Sequence, residues 1–302
     1  MPDQPHRFLD LQEPSSRRTF LTQASAAFLA GTLIQPLSAI AAESQTAPVT
    51  RIKKAVKFQM ILEKVPVLDK FKMLKDAGFD GTEIHYRTKV DPKEVRKAID
   101  ATGVQVHGFL NSSRDELKDS IDQAKYYGGT SVLVVAGRVD QKNPYDVVYQ
   151  QQQAKLRKHL PYAEKQGIKL LVENVWNNFL LSPLEMARFI DELESPAAGV
   201  YFDVGNVVRF GWPDQWIRIL GPRIVKLDIK EYSRKKQKDE GLWKGFQVEI
   251  NEGDCDWPSV RNALQEIGYT QGWATAEVKG GDRQRLQDIS ERMDRALALA
   301  LA

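Results

Sequence analysis

The sequence predicts an α/β protein with a single domain, a closed (β/α)₈ barrel preceded by a cleavable signal segment. From residue 55 onward, eight short apolar runs alternate with longer amphipathic runs, and eight such units favour a closed barrel over an open sheet. The chain has 302 residues, which accommodates the roughly 250 residues of such a barrel and an N-terminal extension. No G-x-G-x-x-G motif follows the first apolar run, so the usual signature of a doubly wound sheet is missing.

The eight predicted strands are short and rich in Val, Ile, Leu, Phe and Tyr, as parallel strands buried on both faces are. They are Ala55–Ile61, Gly81–His85, Val104–Leu110, Ser131–Gly137, Lys169–Val175, Gly199–Asn206, Ile224–Glu231 and Gly272–Val278. The runs between them have helical spacing, as at Leu68, Phe71 and Leu74, which predicts amphipathic helices. Gly78 follows one such run and Pro92 begins the next, positions typical of a helix C-terminus and a first helical turn.

The longest connection outside these elements is the segment Tyr232–Val248, which follows the seventh strand. It carries many charged residues and also Trp243 and Phe246. A long loop at the C-terminal face of a barrel is often a lid or a substrate-binding loop. A solvated, mobile excursion is the alternative.

The first fifty residues have the pattern of an export signal. The stretch Ser16-Arg17-Arg18-Thr19-Phe20-Leu21 contains paired arginines, a run of small and apolar residues follows, and Ala39-Ile40-Ala41 resembles a cleavage site. Together these features predict a twin-arginine (Tat) signal peptide and a periplasmic protein, whereas the alternative is a disordered tail with a chance Arg-Arg pair. The predicted segments are a signal peptide over 1–42, a linker over 43–54 and the barrel over 55–302.

Composition excludes several classes of partner and site. The net charge of +3 is too small to indicate binding to nucleic acid or to a membrane surface. No segment of the predicted mature chain approaches eighteen consecutive apolar residues, so we expect no stable membrane insertion. Cys255 is the single cysteine, which excludes an internal disulfide and a cysteine-based metal site. The composition is compatible with a homo-oligomer.

Four consecutive strands each carry an acidic residue near the C-terminal end, where the active sites of such barrels lie. These residues are Glu173, Asp203, Asp228 and Glu277. Four converging carboxylates repel each other, and a divalent cation removes that repulsion. An all-oxygen ligand set suits Mn²⁺ or Mg²⁺ better than zinc. The alternative is that each acid pairs with a nearby lysine such as Lys226, Lys230 or Lys279.

Other residues are expected at the same mouth. His85 ends the second predicted strand and His107 lies in the third, so each is either a substrate contact or a structural histidine. Trp176 follows the fifth strand, where an aromatic side chain stacks on a sugar ring or packs into the core.

The sequence resembles the sugar phosphate isomerase/epimerase family, the xylose-isomerase-like barrels, over about residues 55–299. The pieces that carry the resemblance are Val-Glu-Asn (172–174), Phe-Asp-Val-Gly-Asn (202–206), Asp-Ile-Lys-Glu (228–231), Asn-Glu-Gly-Asp-Cys-Asp-Trp (251–257) and Gly-Trp-Ala-Thr-Ala-Glu (272–277). Their order and spacing along eight βα units make the match specific at the level of the family.

The resemblance implies one divalent metal ion, most commonly Mn²⁺, with Mg²⁺ or Co²⁺ as alternatives. Its ligands would be Glu173, Asp203, Asp228 and Glu277. Most relatives have histidine at the third position, so Asp228 is a departure that adds a negative charge to the site. An all-carboxylate site is nevertheless similar to that of xylose isomerase.

The resemblance also implies a mechanism. The metal would polarise a carbonyl of the sugar, and Glu173 and Glu277 would remove and return the neighbouring proton through an enediolate. The substrate-binding residues that it implies are His85, His107, Asn206, Lys230 and Arg234.

The predicted export argues against a sugar phosphate as the substrate, because sugar phosphates are cytoplasmic metabolites. The expectation is therefore an isomerase or epimerase of a non-phosphorylated sugar or keto-sugar. A keto-glycoside lyase with the same metal site and a non-catalytic carbohydrate-binding barrel are the alternatives. An apurinic-site endonuclease, which shares the barrel, would need more histidines near the strand ends.

Overall fold

The computed structural model describes residues 51–299, and the predicted signal peptide lies outside them. The described residues form a closed barrel in which each of eight parallel strands pairs with the next and β8 pairs with β1. The predicted (β/α)₈ barrel is therefore confirmed. Among the described residues, no helix combines the length and the apolar character needed to cross a bilayer.

The strands are β1 (Ile52–Lys57), β2 (Gly81–His85), β3 (Gln105–Ser112), β4 (Ser131–Val134), β5 (Lys169–Glu173), β6 (Ala198–Asp203), β7 (Ile224–Ile229) and β8 (Gly272–Ala276). The helices are α1 (Val67–Asp76), α2 (Pro92–Thr102), α3 (Leu117–Tyr127), α4 (Tyr145–Gln166), α5 (Pro183–Asp191), α6 (Val204–Val208), α7 (Pro213–Leu220), α8 (Arg234–Glu240), α9 (Trp257–Glu266) and α10 (Arg283–Leu297). Short 3₁₀ helices cover Phe58–Met60, Gly221–Arg223 and Leu242–Phe246.

The hydrophobic core has two parts. The larger cluster packs the outer faces of the strands against the helices. The smaller cluster consists of Leu110, Leu133, Leu171 and Tyr201, which lie on β3 to β6. Side chains thus fill the inside of the barrel and leave no open pore, so any ligand must bind above this layer.

Strands β4 to β8 end two or three residues before their predicted ends, and two further differences, in β1 and β3, affect the site. Strand β1 lies earlier than Ala55–Ile61, because Phe58–Met60 turns into a 3₁₀ helix and Ile61 makes only an isolated bridge with Gly281. Strand β3 runs to Ser112, beyond its predicted end. Each shift changes which residue lies at the mouth of the barrel, since the mouth is formed by the last residues of the strands.

The segment after β7 is folded into regular elements. Ser233 caps α8 by accepting a hydrogen bond from the backbone N–H of Lys236. The hydroxyl of the buried Tyr232 lies 2.7 Å from Gln237 Oε1 and 2.9 Å from the carbonyl oxygen of Leu242, and its one proton is shared between these two acceptors. These contacts anchor the segment at its centre and hold the following 3₁₀ helix over the mouth.

Candidate active site

Four acidic side chains converge at the C-terminal ends of β5 to β8. Glu173 and Asp203 end β5 and β6, Asp228 lies in β7, and Glu277 follows β8. One carboxylate oxygen of each lies within 4.8 Å of the others. Asp203 and Asp228 are fully buried and stand beside each other in the β6–β7 register, so they form the floor of the site.

Two lysine side chains lie among these carboxylates. Lys57 Nζ is 2.9 Å from Asp228 Oδ2 and 2.8 Å from Glu277 Oε2. Lys230 Nζ is 2.9 Å from Asp203 Oδ2 and 3.4 Å from Glu277 Oε2. Lys230 is among the lysines that the sequence places near these acids, whereas Lys57 is not, because the predicted first strand begins at Ala55 and has Lys57 near its beginning.

The surroundings separate the pKa values of the two glutamates. Burial, together with Glu277 and Asp203, raises the pKa of Glu173 to about 8 against the opposing lysines. Burial would also raise the pKa of Glu277, but Lys57 and Lys230 lower it to about 2. Glu277 is therefore an anion at neutral pH, and Glu173 readily holds a proton.

The ends of β5 and β6 are fixed by a hydrogen-bond network of asparagines. The backbone N–H of Asn206 donates to Asp203 Oδ1, and the side chain of Asn206 donates to the carbonyl oxygen of Asn174. The indole N–H of Trp176 donates to the carbonyl oxygen of Asn206. The Val-Glu-Asn and Phe-Asp-Val-Gly-Asn segments thus form one rigid unit beside the acidic cluster.

The segment 251–257 folds around the carboxylate of Glu231. The backbone N–H groups of Asn251 and Cys255 and the indole N–H of Trp257 donate to it at 2.9 to 3.0 Å. Gly253 is required here, because a Cβ at that position would lie 2.5 Å from Glu231 Oε1. Glu231 is buried and has a structural role, and it ties this segment to the end of β7.

A cavity of ≈ 760 Å³ opens above the acidic cluster. One wall is aromatic, with Trp176, Trp243 and Phe246 in contact through ring centroids 4.8 to 6.4 Å apart. The other side carries polar residues that include His85 and Ser112, whose side chains lie 3.2 Å apart. Such a combination of aromatic faces and polar groups suits a sugar-sized ligand.

The structure brings most of the predicted site residues to this cavity. The predicted residues that line it are Glu173, Glu277, His85, Asn206, Lys230 and Trp176. Asp203 and Asp228 lie directly below, within the cluster.

His107 lies elsewhere than the sequence predicts. It is buried inside the barrel, stacked on Trp273 with ring centroids 4.1 Å apart. Its ring lies 2.9 Å from Lys226 Nζ and 3.1 Å from Thr275 Oγ1. Because β3 continues for five residues after His107, this histidine belongs to a layer below the mouth.

Arg234 also lies outside the cavity lining. Its guanidinium donates to the carbonyl oxygens of Val208 and Gly211 and packs over Trp212 at 5.3 Å from the ring centroid. Since Arg234 begins α8, its side chain is directed to the α6–α7 connection.

The donor set fits a divalent cation. With all four carboxylates ionised, the four acids and the two ammonium groups carry a formal charge of −2, which one divalent ion neutralises. Asp228 Oδ1 is buried and has no hydrogen-bond partner among the described residues, so an acceptor is available for a metal. Hard oxygen donors are those that Mn²⁺ and Mg²⁺ prefer.

A protein family described as xylose isomerase-like TIM barrel matches residues 71–298. The chain belongs to this family. Members of the fold among solved structures include D-allulose 3-epimerase from Methylomonas sp., with a TM-score of 0.66, 17% identity and coverage of 82% of this chain and 99% of that one. For 3-keto-D-glucoside 4-epimerase from E. coli the TM-score is 0.67 at 16% identity, covering 82% and 100% of the two chains. These likenesses establish the shared fold of this xylose isomerase-like barrel.

A third structure, described as the IolI protein with a binding zinc atom, has a TM-score of 0.69 at 15% identity, with 83% and 100% coverage. Among curated proteins, 3-oxo-isoapionate decarboxylase from Pectobacterium atrosepticum is 28% identical over 151 residues, which are 46% of this chain and 52% of that protein. The chain thus spans about half the length of the curated relative that it matches.

Proposed function

We propose that this protein is a divalent-metal-dependent enzyme that moves a proton next to the carbonyl of a non-phosphorylated sugar or keto-sugar, as an isomerase or epimerase. The acidic cluster carries the proposal, because four carboxylate oxygens within 4.8 Å lie below a cavity of sugar size. The sugar epimerases among the structural neighbours support the same reaction type.

The ligands of the metal would be the four carboxylates of the cluster, with Mn²⁺ as the preferred ion and Mg²⁺ or Co²⁺ as alternatives. When bound, such an ion supplies Lewis acidity that polarises a substrate carbonyl and acidifies the adjacent C–H. With all four carboxylates ionised, the two lysines leave a charge of −2 on the cluster, and this charge supports the assignment.

The two glutamates that line the cavity would exchange the proton. Lys57 and Lys230 keep Glu277 ionised, with a pKa of about 2, whereas burial raises the pKa of Glu173 to about 8. Between them, Glu277 and Glu173 would remove the substrate proton and return one to the enediolate.

Lys230 and Asn206 would hold the substrate. Lys230 lines the cavity and its ammonium lies between Asp203 and Glu277, where it can donate to a sugar oxygen that gains negative charge. Asn206 and His85 offer further polar contacts on the cavity wall. Trp176 would stack on the sugar ring, together with Trp243.

A keto-glycoside lyase is the second candidate, and the size of the cavity favours it. A cavity of ≈ 760 Å³ lies in the upper part of the range of about 300–1,000 Å³ typical of small-molecule sites, which leaves room for an aglycone. The names of two relatives support a keto group at carbon 3, since one acts on a 3-keto-D-glucoside and the other on 3-oxo-isoapionate. Loss of a glycosidic oxygen from such a compound would proceed through the same enediolate.

The metal content of the purified protein tests the proposal directly. We expect about one divalent ion per chain, lost in a Glu173→Gln/Glu277→Gln variant because two of four ligands are neutralised. A Glu192→Gln/Glu266→Gln variant is the control, since both glutamates pair with surface arginines. Failure of the wild type to bind Mn²⁺, Mg²⁺, Co²⁺ or Zn²⁺ at millimolar concentration would refute metal dependence.

Proton exchange tests the chemistry. In D₂O, D-allulose, D-fructose and a methyl 3-keto-glucoside should gain deuterium next to the carbonyl when the enzyme is present, as nuclear magnetic resonance would detect. Release of methanol from the 3-keto-glucoside identifies the lyase. Exchange at the same rate without enzyme or with the double variant would contradict both candidates.

We also propose export to the periplasm through the Tat pathway, which the paired Arg17 and Arg18 support. In a Gram-negative host, the wild type should be recovered without residues 1–42 from the periplasm. An Arg17→Lys/Arg18→Lys variant should stay in the cytoplasm. Equal periplasmic recovery of both proteins would contradict the proposal.

A further inference from the structure

The ammonium group of Lys57 lies against two carboxylates of the acidic cluster. Lys53, Ala55 and Lys57 alternate along β1 and share the face that points into the barrel, because side chains of a strand alternate between its two faces. Lys57 ends the strand beside Glu83 of β2, at the height of the mouth. Its side chain is buried, with a relative exposure of 7%.

Lys57 contacts two of the four carboxylates that would ligate the metal. Its Nζ is 2.9 Å from Asp228 Oδ2 and 2.8 Å from Glu277 Oε2. One oxygen of each of these carboxylates also belongs to the group that lies within 4.8 Å. A cation bound to all four carboxylates would therefore bind Asp228 and Glu277, which are the two carboxylates that Lys57 also contacts.

A bound divalent ion and this ammonium group would repel each other. Metal–oxygen distances are about 2.0–2.6 Å, so an ion held by Asp228 and Glu277 would lie within a few ångströms of Lys57 Nζ. Like charges this close, in a buried setting, interact strongly. Among the described residues, Lys57 forms ion pairs with these two acids alone, while the buried, unpaired carboxylate of Glu83 stands beside it in the β1–β2 register.

The same contacts stabilise the cluster when no metal is bound. Removal of Lys57 would leave four mutually repelling carboxylates with Lys230 as the one remaining contacting cation among the described residues. Buried carboxylates without counter-charges destabilise the folded state. Lys57 thus compensates part of the cluster's charge before any metal enters.

We propose that Lys57 is a built-in competitor of the metal ion: it holds Asp228 and Glu277 together in the metal-free protein and lowers the affinity of the acidic cluster for a divalent cation. This inference rests on the metal dependence proposed above. It also predicts that removing the charge of Lys57 lowers the stability of the metal-free protein and at the same time increases its affinity for the metal.

Titration with Mn²⁺, with the free ion followed by electron paramagnetic resonance, tests the inference without any activity measurement. Lys57→Met and Lys57→Gln should each bind Mn²⁺ about 10- to 100-fold more tightly than the wild type, a tenfold change being about 1.4 kcal/mol. Lys57→Arg keeps the charge and should bind like the wild type. If Lys57→Met does not fold, the comparison of Lys57→Gln with Lys57→Arg decides.

Lys54→Met is the matched control. Lys54 is also buried on β1, but it points to the opposite face and pairs with Asp294 at 2.7 Å. This variant should lose stability and leave the affinity for Mn²⁺ unchanged. Metal-free Lys57→Met should have a lower Tm than the wild type, and saturating Mn²⁺ should raise its Tm by a larger amount.

The outcomes separate this inference from the proposed function. If the wild type binds Mn²⁺ and Lys57→Met binds it equally or more weakly, Lys57 is no competitor and the inference fails, while metal dependence stands. If neither the wild type nor any Lys57 variant binds a divalent ion, both proposals fail. Tighter binding in Lys57→Met and Lys57→Gln, without a change in Lys54→Met, supports the inference.

Discussion

Asn174 and Asp203 hold each other through two reciprocal hydrogen bonds of 2.8 Å each. Asn174 Nδ2 donates to the carbonyl oxygen of Asp203, and the backbone N–H of Asp203 donates to Asn174 Oδ1. Both residues are buried, so water cannot replace a lost partner. The pair therefore fixes the end of β6, and with it the direction of the Asp203 carboxylate, relative to Glu173 on β5.

Substitution Asn174→Ala should weaken both the fold and the metal site. It leaves the buried backbone N–H and carbonyl of Asp203 unpaired, which lowers the free energy of unfolding by about 1–3 kcal/mol. It also releases the Asp203 carboxylate from its fixed direction, which lowers the metal affinity about 10- to 100-fold. Denaturant unfolding and Mn²⁺ titration measure the two effects. Asn111→Ala is the control, because Asn111 is equally buried but bonds Arg114 and Ser120. An equal loss of metal affinity in both variants would show that the effect is a general one on stability.

Metal affinity should depend on pH through Glu173. Its pKa of about 8, raised by burial, means that a proton must leave before this carboxylate binds a metal at pH 7. The affinity for Mn²⁺ should therefore rise between pH 6 and 8, by about tenfold per pH unit for the proton on Glu173, and burial also raises the pKa of Asp228, whose proton adds to the rise. Calorimetry in two buffers of different ionisation enthalpy counts the protons released. A Glu173→Gln variant should lack this step, and an unchanged pH profile in that variant would assign the proton to another group.

The aromatic wall should contribute to substrate binding through Trp243. This side chain is 66% exposed, yet it lines the cavity beside Trp176. Trp243→Ala should raise KM about 3- to 10-fold with little change in kcat, because stacking on a sugar ring contributes about 0.5–1.5 kcal/mol. Trp212→Ala is the control, since Trp212 is similarly exposed but does not line the cavity. Equal effects on KM from both variants would contradict a specific role for the wall.

The barrel and its acidic cluster are predictable from the sequence for a physical reason. Parallel strands in a barrel are buried on both faces and therefore appear as short apolar runs. An acid within such a run is costly unless it has a partner, so Glu173, Asp203 and Asp228 stand out. Because the ends of all eight strands meet at one mouth, the order of the runs alone brings these acids together.

The roles of individual lysines and histidines depend on strand boundaries, which apolar patterning does not fix. The run that begins at Ala55 is apolar through Ile61 except for Lys57 and Gln59, so apolar patterning extends the strand into residues that form a 3₁₀ helix. Because β1 ends at Lys57 and not at Ile61, Lys57 lies at the mouth, where the predicted strand does not place it. The opposite error affected His107, since β3 continues to Ser112 and leaves this histidine deep in the barrel.

Lys226 should make the stability of the protein depend on pH in the alkaline range. Its side chain is 1% exposed, and its Nζ lies 2.9 Å from His107 Nδ1 and donates to the carbonyl oxygen of the same residue at 2.6 Å. Burial, opposed by Glu83, lowers the pKa of Lys226 to about 7, against about 10.4 for an unperturbed lysine.

Between these two values the unfolded chain binds a proton that the folded chain does not, so the contribution of Lys226 to stability rises with pH. Relative to a Lys226→Met variant, the wild type should gain up to about 1.4 kcal/mol per pH unit from pH 7.5 to 9.5. Below pH 7 the difference should become constant, because both states then carry the proton. Urea unfolding of the two proteins at closely spaced pH values measures this difference, and parallel stability curves over the whole range would mean that Lys226 stays charged inside the barrel.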